Sequence, residues 1–226
     1  MPKNNVFKRQ FDLIRPKELE FPIIIIGTGG IGSWASLALA KLGCTNMTLI
    51  DHDYVEEHNI PSQFYEPSDV GKKKVHCLGR HLHDYSEIDS INFDSKWQDV
   101  FLKDEINISN AVVISALDKL EERKELWKYI FTDNHMPEVY LDARMGGELF
   151  KLLSVPRLNI DAIDKYDKDM RKRTKVHVEK CTERAICYNV FMAASIISNT
   201  VKRFAKKEPL HFEIIADIVN LSIERR

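Results

Sequence analysis

Gly27-Thr28-Gly29-Gly30-Ile31-Gly32 reads GxGxxG and stands between an apolar run at 21–27 and an Ala- and Leu-rich stretch at 31–42. Glycines here permit a tight turn and a close backbone approach, and unpaired N–H groups at a helix start attract phosphate. Asp51 follows 19 residues after Gly32, where a carboxylate at a strand end accepts hydrogen bonds from ribose hydroxyls. A bound nucleotide is the expected chemistry. The glycines and Asp51 alone leave NAD and ATP open.

The residues after Asp51 narrow the choice. Asp51 and Asp53 form a DxD strand end, Asn59 and Gln63 follow closely, and Gly71 with Lys74 opens a helical stretch. Further on, Ser115-Ala116-Leu117-Asp118 ends a second apolar run and is followed by Arg123. In this order the elements resemble the ThiF/MoeB/HesA superfamily, the catalytic core of ubiquitin-activating enzymes and of enzymes that adenylate sulfur-carrier proteins. The resemblance is dense from 21 to 142 and thinner beyond. It implies ATP-dependent adenylation of the C-terminal carboxylate of a ubiquitin-like or sulfur-carrier protein ending in glycine. Both reactants are anionic, so positioning and charge neutralisation carry the catalysis. The implied nucleotide contacts are Gly27, Gly29, Gly30, Gly32, Asp51, Asp53, Asn59, Gln63 and Lys74, with Lys74 as a point charge on phosphate. Asp118 is the implied magnesium residue. Lys72 and Lys73 read as solvated surface.

One position departs from the family pattern: Ser62 stands where an arginine usually precedes the glutamine. This keeps open a catalytically impaired subunit of a heterodimeric enzyme. An NAD-dependent oxidoreductase is the other alternative, but it leaves Asn59, Gln63, Lys74 and Asp118 unexplained. Phe7-Lys8-Arg9-Gln10 resembles the family's leading Arg-Gln, whose arginine reaches the partner subunit's nucleotide; the implied working unit is a homodimer with Arg9 acting in trans.

Cys181, in Glu179-Lys180-Cys181-Thr182-Glu183-Arg184, stands where the resemblance places a nucleophile for thioester formation. A helix start with Lys180 and Arg184 beside it favours the thiolate there. Cys44, Cys77 and Cys187 read as core residues. No two of the four cysteines form a CxxC pair, and the superfamily's zinc ligands are missing, so no zinc is expected.

The elements that hold these residues alternate. Strands are predicted at 21–27, 46–51, 90–94, 111–115 and 138–142, and helices at 31–42, 72–85 and 119–131. This βα rhythm predicts a Rossmann-like, doubly wound, mostly parallel sheet with helices on both faces. Beyond 142 it gives way to a strand at 147–155, a long helix at 184–206 and a strand or hairpin at 210–223, an antiparallel C-terminal extension. The 226 residues read as a single ThiF-type domain with an N-terminal arm (1–20) and a charged crossover loop (156–183) carrying Cys181. Its basic run at 171–175 reads as a solvated loop.

Composition sets the outer limits. Hydrophobic residues at 44% and charged residues at 30% exclude a disordered tail, a fibre and a membrane bundle. The longest apolar runs are too short to cross a bilayer, and no secretory signal opens the chain, so a cytoplasmic protein is expected. Thirty-three basic residues against 34 acidic ones give a formal charge of −1, which removes the bulk-electrostatic case for nucleic acid or acidic membrane.

Overall fold

The computed structural model describes residues 6–103, 106–132, 136–172 and 186–226. Its centre is β1 (Ile23–Ile26), four consecutive isoleucines with at most 1% exposure. Ile23 and Ile25 enter one hydrophobic cluster and Ile24 and Ile26 the other, as period-2 side chains must when both faces of a strand are covered. Each buried isoleucine contributes about 1.5–3 kcal/mol, which makes β1 the fixed reference for whatever follows it.

The chain continues through α1 (Gly30–Leu42), β2 (Met47–Ile50), α2 (Lys74–Ser86), β3 (Ile91–Phe93), α3 (Trp97–Leu102), β4 (Val112–Ser115), α4 (Leu120–Thr132) and β5 (Val139–Gly146). Then come β6 (Leu149–Pro156), α5 (Ile160–Lys172), α6 (Cys187–Ala205), β7 (Glu213–Asp217) and β8 (Ser222–Arg225). The eight strands lie in the order β3-β2-β1-β4-β5-β6-β7-β8. The first five are parallel, and β6, β7 and β8 join antiparallel. Side chains of α1, α2 and α6 fill the cluster on one face, and those of α3, α4 and α5 the cluster on the other. This is the expected doubly wound α/β sheet with its antiparallel extension.

Strand order reverses direction between β1 and β4, both neighbours of the same edge crevice. In open α/β sheets ligands bind at that switch point, outside the carboxyl ends of the strands. Here the two loops that meet there are 27–29 and 116–119.

Two elements differ from the sequence expectation. The stretch at 156–183 is not loop throughout, because α5 occupies Ile160–Lys172. Ala162, Tyr166 and Met170 recur every fourth residue and are buried, an apolar stripe masked by the charges around it. Helix α3 is an addition to the sequence expectation; it is only six residues long and is held by buried Trp97, Val100 and Phe101. The 210–223 segment resolves into the β7–β8 hairpin, with the Asp217 carboxylate accepting the Asn220 N–H at 3.1 Å in the turn. Among the described residues no helix is long and apolar enough to cross a membrane.

Candidate functional site

The glycine loop is shaped by contacts that admit no side chain. Gly27 has φ +90°, and a Cβ on it would meet the Ala116 carbonyl oxygen at 2.8 Å. A Cβ on Gly32 would lie 1.9 Å from the Gly27 carbonyl oxygen. These two glycines pack loop 27–29, the start of α1 and the 116–117 peptide against one another. Gly29 is different: the nearest atom to its Cβ position is Gln63 Nε2, at 3.9 Å. That face of the loop is an open cradle with Gln63 on its rim. The Gln63 Oε1 is buried and accepts no hydrogen bond, an acceptor left over for a ligand donor.

Asp51 braces the loop. Its Oδ2 accepts the Thr28 N–H at 2.7 Å and the Thr28 hydroxyl at 2.9 Å, and its Oδ1 accepts the Asp53 N–H at 2.9 Å. The carboxylate with an exposed edge at this strand end is therefore Asp53, whose Oδ2 pairs with Lys74 Nζ at 3.1 Å. Lys74 begins α2, its side chain only 9% exposed, and its N–H donates to the Asp53 carbonyl at 3.0 Å. Both ends of one lysine are thus fixed on one aspartate. Lys73, read as surface, pairs with Asp94 at 2.7 Å and lies over the Tyr54 ring, and Asp94 raises its pKa.

The segment carrying Asn59 and Gln63 is stitched onto the loop. Asn59 is buried, and its Oδ1 accepts the Glu56 N–H at 3.0 Å while its carbonyl accepts the Gln63 N–H at 2.9 Å. It holds the turn that presents Gln63. The Trp34 indole N–H donates to the Ser62 carbonyl at 3.1 Å, the Phe64 N–H to Ser33 Oγ at 3.0 Å, and the Tyr65 hydroxyl to the Thr28 carbonyl at 2.7 Å. Burial pushes the Tyr65 hydroxyl well above its ordinary pKa and keeps it a donor. Ser62 itself is buried. Thr28, Trp34 and Tyr65 were not singled out in the sequence; only the place of Thr28 inside the glycine motif hints at its role.

Asp118 is exposed, immediately after the 116–117 peptide that touches Gly27. Lys119 pairs with Glu122 at 3.1 Å, which raises its pKa, and the charges of Asp118 and Asp53 add to the rise. Among the described residues the potential metal ligands within 4.8 Å of one another are Asp51, His52 and Asp53, and Asp118 is not grouped with them. Asp118, with one exposed carboxylate, has the kind of oxygen donor that a magnesium ion shared with phosphate would need.

The structure does not bring Arg9 to this site. It lines a cavity of about 400 Å³ with Gln10, Ala40, Lys41 and Tyr85, at the C-terminal ends of α1 and α2. The Gln10 amide donates to the Leu42 carbonyl at 2.6 Å. The glycine loop is at the other end of α1, about 20 Å away at 1.5 Å per residue. Cys181, with Lys180 and Arg184, lies outside the described residues. Cys44 and Cys77 are buried as expected, and burial pushes their thiols up to about 12 and about 11. Cys187 departs from the core expectation: α6 begins at this residue rather than at 184, and its side chain is exposed.

A second polar centre lies beneath β5. Asp142 is fully buried; it accepts from Arg123 Nη1 through Oδ1, and from Arg144 Nε and the Tyr166 hydroxyl through Oδ2, at 2.7 and 2.8 Å. Arg123 also donates to the Leu117 carbonyl, and to the Ala143 carbonyl at 3.0 Å. Arg144 reaches Asp169 of α5 at 2.8 Å. Burial alone would raise the Asp142 carboxyl; the Arg123 and Arg144 guanidiniums, with the Tyr166 hydroxyl, reverse this and hold it below the usual carboxylate range.

Comparison with known proteins agrees with this architecture. The fold matches the crystal structure of E. coli MccB with ATP at a TM-score of 0.73 and 22% identity, covering 100% of this chain and 71% of that one. PaaA matches at a TM-score of 0.71 and 19% identity, over 98% of this chain and 72% of that one. By sequence, tRNA threonylcarbamoyladenosine dehydratase 2 of Saccharomyces cerevisiae is 27% identical over 140 residues, 59% of this chain and 30% of that protein. Ubiquitin-like modifier-activating enzyme 5 of Branchiostoma floridae is 28% identical over 116 residues, 46% of this chain and 29% of that protein. The matched stretches thus span less than a third of these relatives' own length. The ThiF family model matches residues 15–212. The chain belongs to the ThiF family.

Proposed function

We propose that this chain is the ATP-binding core of a ThiF-type adenylyltransferase that activates the C-terminal carboxylate of a ubiquitin-like or sulfur-carrier protein. The observation that carries the reading is the open face of Gly29, flanked by the orphaned Gln63 Oε1, at the switch point where Asp118 also emerges. A carboxylate oxygen of the carrier forms a bond to the α-phosphorus of ATP, the bond from that phosphorus to the bridging oxygen breaks, and pyrophosphate leaves. Backbone N–H groups of 29–32 hold phosphate, Lys74 neutralises it, and Asp53, its partner, is freed to receive a ribose hydroxyl. Asn59 orients Gln63, and Asp118 would hold magnesium, which would supply charge neutralisation on phosphate. Arg9 comes from a second copy in a homodimer, and Cys181 takes the acyl group from the adenylate, releasing AMP. The setting is cytoplasmic.

The similarity to ubiquitin-like modifier-activating enzyme 5 supports the carrier class. The similarity to a yeast tRNA threonylcarbamoyladenosine dehydratase supports a second reading, in which the activated group is carried by tRNA; the formal charge of −1 weighs against it. Thermal shift with Mg·ATP and with NAD tests the nucleotide assignment. Stabilisation by ATP alone, weakened in Lys74→Ala and Asp118→Ala, is expected. Stabilisation by NAD, or an ATP response indifferent to both substitutions, overturns it.

A further inference from the structure

Asp118 has to stand at a fixed place beside the glycine loop, yet it is exposed and follows a strand that ends at Ser115. What fixes it lies on the buried side. The Ala116 carbonyl abuts Gly27, and the next carbonyl, Leu117, accepts from Arg123. Arg123 uses the same guanidinium nitrogen for the Ala143 carbonyl, at 3.0 Å, so one planar fork ties the end of β4 to the middle of β5. The other fork nitrogen ends on Asp142, which is fully buried and also holds Arg144 and Tyr166.

Charge makes Asp142 the hinge of this arrangement. Two guanidiniums, that of buried Arg123 and that of partly buried Arg144, face it, and Asp169 on α5 balances the second. Without the carboxylate, Arg123 has no counter-charge to hold its plane, and its grip on Leu117 is no longer set. Among the described residues the Asp142 carboxylate bonds Arg123, Arg144 and Tyr166, none of which belongs to the cradle. We propose that Asp142 is a positioning residue that, through Arg123, holds the 116–118 segment and therefore places Asp118 for magnesium. The inference rests on the proposed role of Asp118 as the magnesium residue. It also joins the nucleotide edge to α5, the helix that leads into the segment carrying Cys181, through the Arg144–Asp169 pair.

The test compares four variants of the full chain: Asp142→Asn, Arg123→Lys, Tyr166→Phe and Asp118→Asn. Arg123→Lys keeps a charge for Asp142 but cannot hold Leu117 and Ala143 at once, and it stands in if Asp142→Asn does not fold. Tyr166→Phe removes an Asp142 hydrogen bond and leaves Arg123 untouched, so it reports a structural loss alone. The readouts are the melting temperature, ATP affinity with magnesium and with EDTA, and amide hydrogen exchange over 116–120. Asp142→Asn or Arg123→Lys is expected to weaken Mg·ATP binding by about tenfold or more, the range for outer partners of a metal ligand, while ATP affinity in EDTA stays at wild type. Exchange over 116–120 accelerates in the same variants. Tyr166→Phe lowers the melting temperature and changes neither. Faster melting in Asp142→Asn and Arg123→Lys with unchanged exchange over 116–120 overturns the positioning role. If exchange accelerates but Asp118→Asn leaves magnesium dependence intact, the positioning holds and the magnesium assignment of Asp118 fails instead.

Discussion

A methyl group on Gly32 should cost stability and one on Gly29 should not, while both weaken nucleotide binding. On Gly32 the new Cβ lies 1.9 Å from the Gly27 carbonyl oxygen, 3.0 Å from its carbon and 3.4 Å from Ile25 Cγ2. Real Cβ contacts stay beyond 3.0 Å, so the first turn of α1 or the 27–28 peptide has to move by about 1 Å. Neither is loose: α1 packs through buried Ala35 and Leu39, and the loop is braced by Asp51. Overpacking of this kind costs about 1–3 kcal/mol, which for a domain of this size lowers the melting temperature by roughly 2–12 °C. A displacement of about 1 Å also takes the loop N–H groups out of hydrogen-bond range of a phosphate. On Gly29 the Cβ meets only Gln63 Nε2, at 3.9 Å, with φ −72°, so Gly29→Ala folds with a stability change within about 0.5 kcal/mol. It fills the cradle, and ATP affinity should still fall by about tenfold or more, the equivalent of one lost charge-assisted hydrogen bond. Calorimetric titration with Mg·ATP, beside thermal melts, separates the two variants. Wild-type ATP affinity in a well-folded Gly29→Ala protein refutes the cradle.

Acid stability should depend on Asp142. Its pKa is held below the ordinary carboxylate value in the fold, so its contribution is complete above about pH 4 and is lost as pH falls through the lower folded value. Asp142→Asn should lower stability at neutral pH by about 3–5 kcal/mol, the cost of breaking a buried pair, and flatten the loss below pH 4; urea melts from pH 7 to pH 3 check both. Arg9 should act only across a dimer: Arg9→Ala and Lys74→Ala proteins are each inactive, and their mixture should recover about a quarter of wild-type activity through mixed dimers. A mixture with no recovery contradicts the trans arrangement.

The parts of this protein that sequence discloses are those whose chemistry is local. The glycine motif names its own turn, the four isoleucines name a strand covered on both faces, and Lys74 sits where α2 begins. What sequence conceals depends on partners far along the chain. The spacing of Asp51 implies a ribose contact, and folding adds a partner the spacing does not show: Thr28, 23 residues away, donates to its Oδ2. Asn59 is implied as a ligand contact, and folding adds that its Oδ1 caps the turn beneath Gln63. Asp142 passed as the end of an apolar strand, since only folding brings Arg123, Arg144 and Tyr166 around it. The three buried side chains of α5 are outnumbered by charges, which hides the helix in the sequence, and α6 begins three residues later than its pattern predicts, which leaves Cys187 at the exposed first position.

ATP–pyrophosphate exchange addresses the central claim most directly. Labelled pyrophosphate is followed into ATP in the presence of magnesium and either a ubiquitin-like carrier with a free C-terminal glycine, the same carrier with an amidated C-terminus, or tRNA. The adenylation account predicts exchange only with the free carboxylate, abolished in Lys74→Ala. Exchange supported by tRNA alone, or equal exchange with the free and amidated carrier, contradicts it.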